Sequence, residues 1–362
     1  MRRICWRQAR HRGRGGPSLH WFALVGCFAI LVSVSAVRAQ TVADIAGYAG
    51  ADRTQRLIAG AKKEGFVTLY SSAVIADTDA IIDAFQNKYG VQARLWRGSS
   101  DDILRRAVTE ARGGRYDADL AETAGDSMEG LQRERLLAEV SSPVFAELMP
   151  QAVVPHRGWI ADRLSIFAAA YNTTLVKPAE VPKSYEDLTD PKWRGKLGID
   201  NEDDDSSWFM SVADAMGEAK ALVLFGKIVA QNGMSVRRGH TLLSNLVVAG
   251  EVPLALTIYG YRIADLKKGG APIGGVLIPP AFALPTGIAA LAKAPHPNAA
   301  LLLLDFYLTD GQRILAARGN VPTNRTVAEP PAGVSLIDVA KFLDQEGKWT
   351  KLFRDTFAGG AR

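Results

Sequence analysis

Along the chain, short apolar runs alternate with segments whose apolar residues recur at helical spacing, and small polar turns separate them. Leu57, Ile58 and Ala61 recur at a helical interval, and Lys62-Lys63-Glu64-Gly65 adds a basic last turn and a glycine stop. Together they predict helix within 41–65. Phe66-Val67-Thr68-Leu69-Tyr70 predicts a buried strand, followed by a polar turn at Ser71-Ser72. Asp77 then caps a predicted helix with Ile81, Ile82 and Phe85 on its apolar face and a stop at Tyr89-Gly90. The unit recurs as a strand over 91–96, a turn at Gly98-Ser99-Ser100-Asp101, and a helix around Ile103, Leu104 and Val108 capped by Ser100 or Asp101. A third strand is predicted over 118–121, and a helix opens at Gly125-Asp126. Such alternation predicts an α/β sheet with parallel strands, whose turns at the carboxyl edge would meet a ligand.

A second unit follows the apolar strand Phe167-Ala168-Ala169-Ala170-Tyr171, with Pro178 and Pro182 marking a connector. Leu197-Gly198-Ile199-Asp200 reads as a strand, and an acidic-polar loop over 201–207 leads into a helix from Trp208. Leu254-Ala255-Leu256-Thr257-Ile258 reads as another strand. The chain is expected to cross back near 287–291 and to end in helices at about 297–308 and 310–318. No internal repeat of fixed period is evident.

Charge changes the picture once it is located. The 362 residues carry 43 basic and 38 acidic side chains, but residues 1–39 hold seven arginines and no acid. Without them 36 basic face 38 acidic groups, so net charge gives no reason to expect nucleic acid or an anionic membrane as partner. The basic start, the apolar run over 21–37 and the small residues before Gln40 read as a secretory signal peptide. That run is short for a membrane span of about 20 residues. Cys5 and Cys27, both in this leader, are the chain's two cysteines, so the exported part needs no disulfide and offers no thiolate chemistry. Apolar residues continue beyond Cys27, which argues against lipid anchoring there.

Several segments carry a resemblance in combination: Glu64-Gly65-Phe66-Val67-Thr68-Leu69-Tyr70-Ser71, Tyr116-Asp117-Ala118-Asp119-Leu120, Ala170-Tyr171-Asn172-Thr173, and Tyr185-Glu186-Asp187-Leu188 with Pro191-Lys192-Trp193-Arg194-Gly195-Lys196. Gly250-Glu251-Val252-Pro253, Lys267-Lys268-Gly269-Gly270-Ala271-Pro272 and Ala294-Pro295-His296-Pro297-Asn298 extend it over nearly all of 50–325. The chain resembles the periplasmic solute-binding proteins of ABC importers, of the ferric-iron-binding and thiamine-binding-like group. The resemblance implies a type II α/β fold of two lobes with hinge strands and a central cleft. After the signal peptide at 1–39, the first lobe is expected over 40–165, the second over 166–284, and a return to the first, with the C-terminal helices, over 285–362. Also implied are an inner-membrane permease as partner, a monomer, a periplasmic location and no cofactor, ferric ion being a candidate cargo.

Iron binders of this family use two adjacent tyrosines, a histidine, a glutamate and an anion. Here Tyr259-Gly260-Tyr261 stands at the tyrosine position, with Tyr261 aligned to the second one and offering a hard phenolate oxygen. No histidine follows Tyr70, and Glu122 falls two positions early for the glutamate, so the ferric set is incomplete. Ser206 and Ser207 before the predicted helix could hold an anion at its N-terminus or serve as plain caps. His240 aligns with a family residue that touches the anion, and Arg238 could add a charge-assisted bond. Asp203-Asp204-Asp205 could attract a cation, but reads first as a solvated loop that also suits a helix N-terminus. Trp208 and Trp96 could stack on a heteroaromatic ligand or pack in the core. Ser71, Ser72, Ser99 and Ser100 are expected to serve the cleft from one lobe, and Ser206, Ser207, Trp208, His240, Tyr259 and Tyr261 from the other.

No nucleophile elbow, phosphate loop or paired zinc-histidine motif occurs, and His156, His240 and His296 have no partner at metal-ligand spacing. The expected function is capture of a small polar or anionic solute, or a ferric complex, for import. A thiamine-like cation, a phosphonate and a ligand-sensing role remain as alternatives.

Overall fold

The computed structural model describes residues 40–201, 203–329 and 331–358. The expected signal peptide over 1–39, with the two cysteines, lies outside the described residues. Strands β1 (Phe66–Ser71), β2 (Gln92–Arg97) and β3 (Leu120–Ala124) alternate with the helices Ile75–Tyr89, Ser100–Arg112 and Gly125–Arg133. After β4 (Ile160–Asn172) come β5 (Leu197–Asp200), the helices Asp203–Met216 and Glu218–Asn232, β6 (Ser235–Arg237), the helix His240–Ala249 and β7 (Leu254–Tyr259). The helix Gly260–Lys268, β8 (Ile273–Val276) and β9 (Ala281–Ala290) follow, and then the helices Pro297–Tyr307, Asp310–Ala317 and Val339–Phe353.

The strands run in the order β2-β1-β3-β9-β4-β7-β5-β6. Pairing is parallel at both ends, β1 with β2 and β3, and β5 with β6 and β7, as the alternation predicts. In the middle it is antiparallel, because β4 and β9 carry the chain across and back in opposite directions. Ile160 to Ile166 of β4 pairs with β9, whereas Phe167 to Asn172 pairs with β7 and β8. One thirteen-residue strand thus belongs to both halves of the sheet. All ten residues of β9 are buried, as suits a central strand covered on both faces.

Local chemistry sets the element ends. The expected helix within 41–65 is two pieces, Val42–Ile45 and Arg53–Glu64, with Gly47 and Gly50 in the break. Ser99, rather than Ser100 or Asp101, caps the next helix but one: its Oγ accepts from the Asp102 amide (3.2 Å) and donates to the Asp102 carboxylate (2.7 Å). The helix expected from Trp208 begins at Asp203, because acids in a first turn complement the helix dipole. Ile75 starts the helix that Asp77 was expected to cap, so Asp77 lies in its first turn.

The larger of two apolar clusters among the described residues holds side chains from both halves. Within the first half, Phe85 meets Phe306 edge-on at 5.6 Å between ring centres, and Glu64 accepts from the amides of Asn298 (3.1 Å) and Ala299 (2.7 Å), closing the helix Pro297–Tyr307 against the helix Arg53–Glu64. The C-terminal helix, expected with the first lobe, sets Trp349 and Phe353 against Phe209 of the second unit, while its Asp344 pairs with Arg133 at 2.8 Å. Aromatic burial draws it across both units. Among the described residues no helix is long and apolar enough to cross a membrane.

Candidate ligand cleft

The carboxyl ends of β1, β2 and β3 converge, as the strand–turn–helix pattern requires. The Ser72 amide donates to the Glu122 carbonyl (3.0 Å) and the Gly98 amide to that of Ser71 (3.2 Å). In front of this edge lies a polar cavity of about 440 Å³. Ser72, Val74 and Asp77 line it from the first unit, and Tyr261, Asp265 and Lys268 from the helix after β7. Arg163 and Ser165 of β4 and Thr286 of β9 form part of its wall, with Arg318 and Asn320 contributed by the segment after the helix Asp310–Ala317. Asp77 ties that segment in place, accepting from Arg318 and from the Asn320 amide group (2.9 Å).

Arg163 is the buried charge of this wall, with 12% of its side chain exposed. Its Nη2 meets Glu122 Oε1 at 2.7 Å, and its Nη1 donates to Asp162 Oδ2 at 3.5 Å. Glu122 is fully buried and accepts a second bond from Ser71 Oγ. Burial, reinforced by Glu122, pushes the Asp162 carboxyl well above the usual carboxylate range despite Arg163. Burial also works against the Arg163 charge, but Glu122 and then Asp162 hold the guanidinium protonated. Arg163 is thus held between two carboxyls, of which Asp162 is the one that burial disfavours as an anion.

A second charged cluster sits at the carboxyl ends of β5 and β7. Asp200, Asp205 and His240 bring one ligand atom each within 4.8 Å of one another, and both aspartates are fully buried. Asp200 accepts from the amides of Asn201 (2.6 Å) and Gly239 (3.1 Å). Gly239 reaches it at φ +109°, a conformation that glycine adopts without strain. His240 Nδ1 donates to the Thr257 carbonyl at 2.8 Å, which leaves Nε2 as the acceptor nitrogen of the neutral ring. Two carboxylates and an imidazole form a donor set able to hold a cation. The His240 ring lies 4.5 Å from that of Tyr259, whose ring stacks on Tyr261 at 5.6 Å and 14°.

Of the ten residues singled out from the sequence, Ser72 and Tyr261 line the cavity, and Tyr261 is 39% exposed there. Ser71 lies directly behind, on Glu122. Tyr259 and His240 form the adjoining buried face. Ser99 is occupied as a cap and Ser100 is the first residue of its helix. Ser206 and Ser207 fall one turn inside the helix Asp203–Met216 and are buried, not exposed ahead of it. Trp208 is buried among Phe209, Phe225 and Tyr185. Asp205, expected in a solvated loop, is buried in the helix's first turn. Trp96 packs 4.9 Å from the Tyr70 ring, under Arg106. His296 gives its amide to Asp119 at 2.7 Å, with ring Nδ1 3.0 Å from the same carboxylate. Sequence reasoning passed over Arg163, Ser165, Thr286, Arg318 and Asn320. The available signal was Asp162-Arg163, two charges at the head of an otherwise apolar strand.

Residues 80–340 match the family described as bacterial extracellular solute-binding protein. The chain belongs to this family. It is 25% identical over 244 residues to the Fe(3+)-binding periplasmic protein of Serratia marcescens, covering 65% of this chain and 71% of that one. Iron-bound HitA from Pseudomonas aeruginosa superposes with a TM-score of 0.69 at 25% identity, over 80% of this chain and 99% of that one. AfuA from Actinobacillus pleuropneumoniae, solved with exogenous fructose-6-phosphate bound, shares the fold with a TM-score of 0.65 at 23% identity, over 82% and 99% of the two chains. The two-lobed α/β architecture expected from the sequence is that of these proteins, and family and fold are those of binding proteins rather than enzymes.

Proposed function

We propose that this solute-binding protein is the capture component of an ABC importer. It is exported by the signal peptide over 1–39, works in the periplasm as a monomer, and delivers one small polar solute, chemically unchanged, to an inner-membrane permease. The observation that carries the reading is the polar cavity of about 440 Å³, walled by both units and by the two strands that connect them. We take 40–165 with 285–362 as one lobe and 166–284 as the other, with β4 and β9 as the hinge. Closure then brings Tyr261, Asp265 and Lys268 toward Ser72 and Asp77 around the solute. A ligand that contacts both sides binds the closed form better and shifts the population toward it. A thermal-shift screen of the purified protein against small solutes tests this, since a ligand of the native state raises the melting temperature. The bound compound should be recovered intact by mass spectrometry. Recovery of a chemically altered product would sink the capture reading.

A second reading, a ferric complex as cargo, is favoured by the stacked Tyr259 and Tyr261 beside the cavity and by the iron binders among the relatives. Ferric phenolate absorbs visible light. A protein that stays colourless after ferric citrate loading excludes tyrosine-bound iron.

A further inference from the structure

The capture reading leaves open which chemical group of the solute is recognised, and the wall of the cavity speaks to that. Arg163 and Glu122 lie 41 residues apart, on β4 and β3, with β9 between them. Thr286 of β9 pairs with Ala124 on one side and Arg163 on the other, and itself lines the cavity. The ion pair therefore spans the middle of the sheet, where an apolar pair of similar volume would be no less stable. What an apolar pair would lack is a guanidinium on the cavity wall. A guanidinium carries five N–H donors. Glu122 engages one terminal nitrogen and Asp162 the other, so the group is fixed in place without its donors being exhausted.

The remaining charges agree. The lining carries Arg163, Lys268 and Arg318 against Asp77 and Asp265, and Arg318 and Asp77 offset each other as an ion pair. The cations left to face a ligand are Arg163 on the connecting strand and Lys268 on the helix after β7. A guanidinium forms bidentate, charge-assisted bonds with carboxylate and phosphate oxygens, and partial burial strengthens them.

We propose, on the basis of the capture reading, that Arg163 anchors an oxyanion of the solute, a carboxylate or a phosphate, and so sets the specificity of the cavity for anionic organic molecules. Lys268 closes on the same molecule, and Ser72, Ser165 and Thr286 offer hydroxyls to its neutral part.

Calorimetry on the purified protein with fructose 6-phosphate, fructose, citrate and glycerol tests this, the first and third probes separating phosphate from carboxylate. At least one anionic probe should bind, and fructose and glycerol at least 100-fold more weakly or not at all. Arg163→Gln should weaken the anion about 10- to 100-fold, the usual worth of a hydrogen bond to a charged group. Arg163→Lys keeps the charge and should recover part of the loss. If Arg163→Gln does not fold, Lys268→Gln, on an exposed helix end, should still weaken the anion and leave the melting temperature of the free protein unchanged. Binding of a neutral probe with equal or greater affinity, or an anion whose affinity ignores these substitutions, overturns the inference and leaves the capture reading standing. Binding of none of the four overturns the inference, and the capture reading falls with it only if the wider thermal-shift screen also finds no ligand.

Discussion

Two largely buried clusters of charge lie near the cavity, and the fold compensates them differently. Around Arg163 the compensation is by opposite charge, with a guanidinium held between Glu122 and Asp162 on strands brought together by topology. Around Asp200 it includes backbone: two amides donate to one carboxylate, and a histidine fixed by the Thr257 carbonyl lies 3.6 Å away. Breaking a buried ion pair strands a charge, whereas losing a carboxylate leaves neutral amides that cost less to bury. The first arrangement should therefore be the more brittle.

The largest effect is expected at Glu122. Glu122→Ala leaves Arg163 without its nearest counter-charge and should cost about 3–5 kcal/mol of stability, read from urea denaturation. A loss under about 1 kcal/mol would mean that Arg163 is solvated and that the contrast between the two clusters is false. Asp200→Ala should cost less, about 1–3 kcal/mol, since two amides lose an acceptor. A larger loss than that of Glu122→Ala would reverse the comparison.

Asp162 sharpens it further. Its carboxyl titrates above the usual range in the folded protein, because burial opposes ionisation. Below the ordinary value both folded and unfolded forms are protonated and nothing is lost. As pH rises past it the unfolded chain ionises first, and stability falls until the folded group ionises too. Asp162→Asn cannot ionise and should be more stable than the parent at neutral pH, with the gain vanishing near pH 3. Denaturation midpoints at the two pH values check this. A variant less stable than the parent at neutral pH would show that the ionised carboxylate supports Arg163 after all.

The smallest effect is expected at Tyr261. Tyr261→Phe removes one exposed phenolic oxygen from the cavity and should weaken the solute about 3- to 10-fold by calorimetry, with no change in melting temperature. Unchanged affinity would remove Tyr261 from the site, and the ferric reading with it.

Much of the fold was legible because its signals are local. Periodicity placed the helices around Ile81, Ile103 and Ala300, and the run Leu197-Gly198-Ile199-Asp200 is β5 to the residue. Of the serine turns, Ser72 lies at the cavity, as does Tyr261, whereas Ser99 is spent as a helix cap. The errors cluster where local and tertiary demands compete. Asp205 looked solvated because acids usually are, yet it is buried beside Asp200 and His240. For Trp208 the sequence left stacking and core packing both open, and three aromatic rings cover it.

By itself the sequence determined the alternation of strands and helices and membership of a solute-binding family, both carried by residues close in the chain. Only the tertiary structure decided that Arg163 meets Glu122 and that Arg163 walls a cavity shared with Tyr261 and Arg318. Those contacts depend on the order β3-β9-β4. Strand order follows from how whole apolar faces bury together, and no short stretch of sequence encodes it.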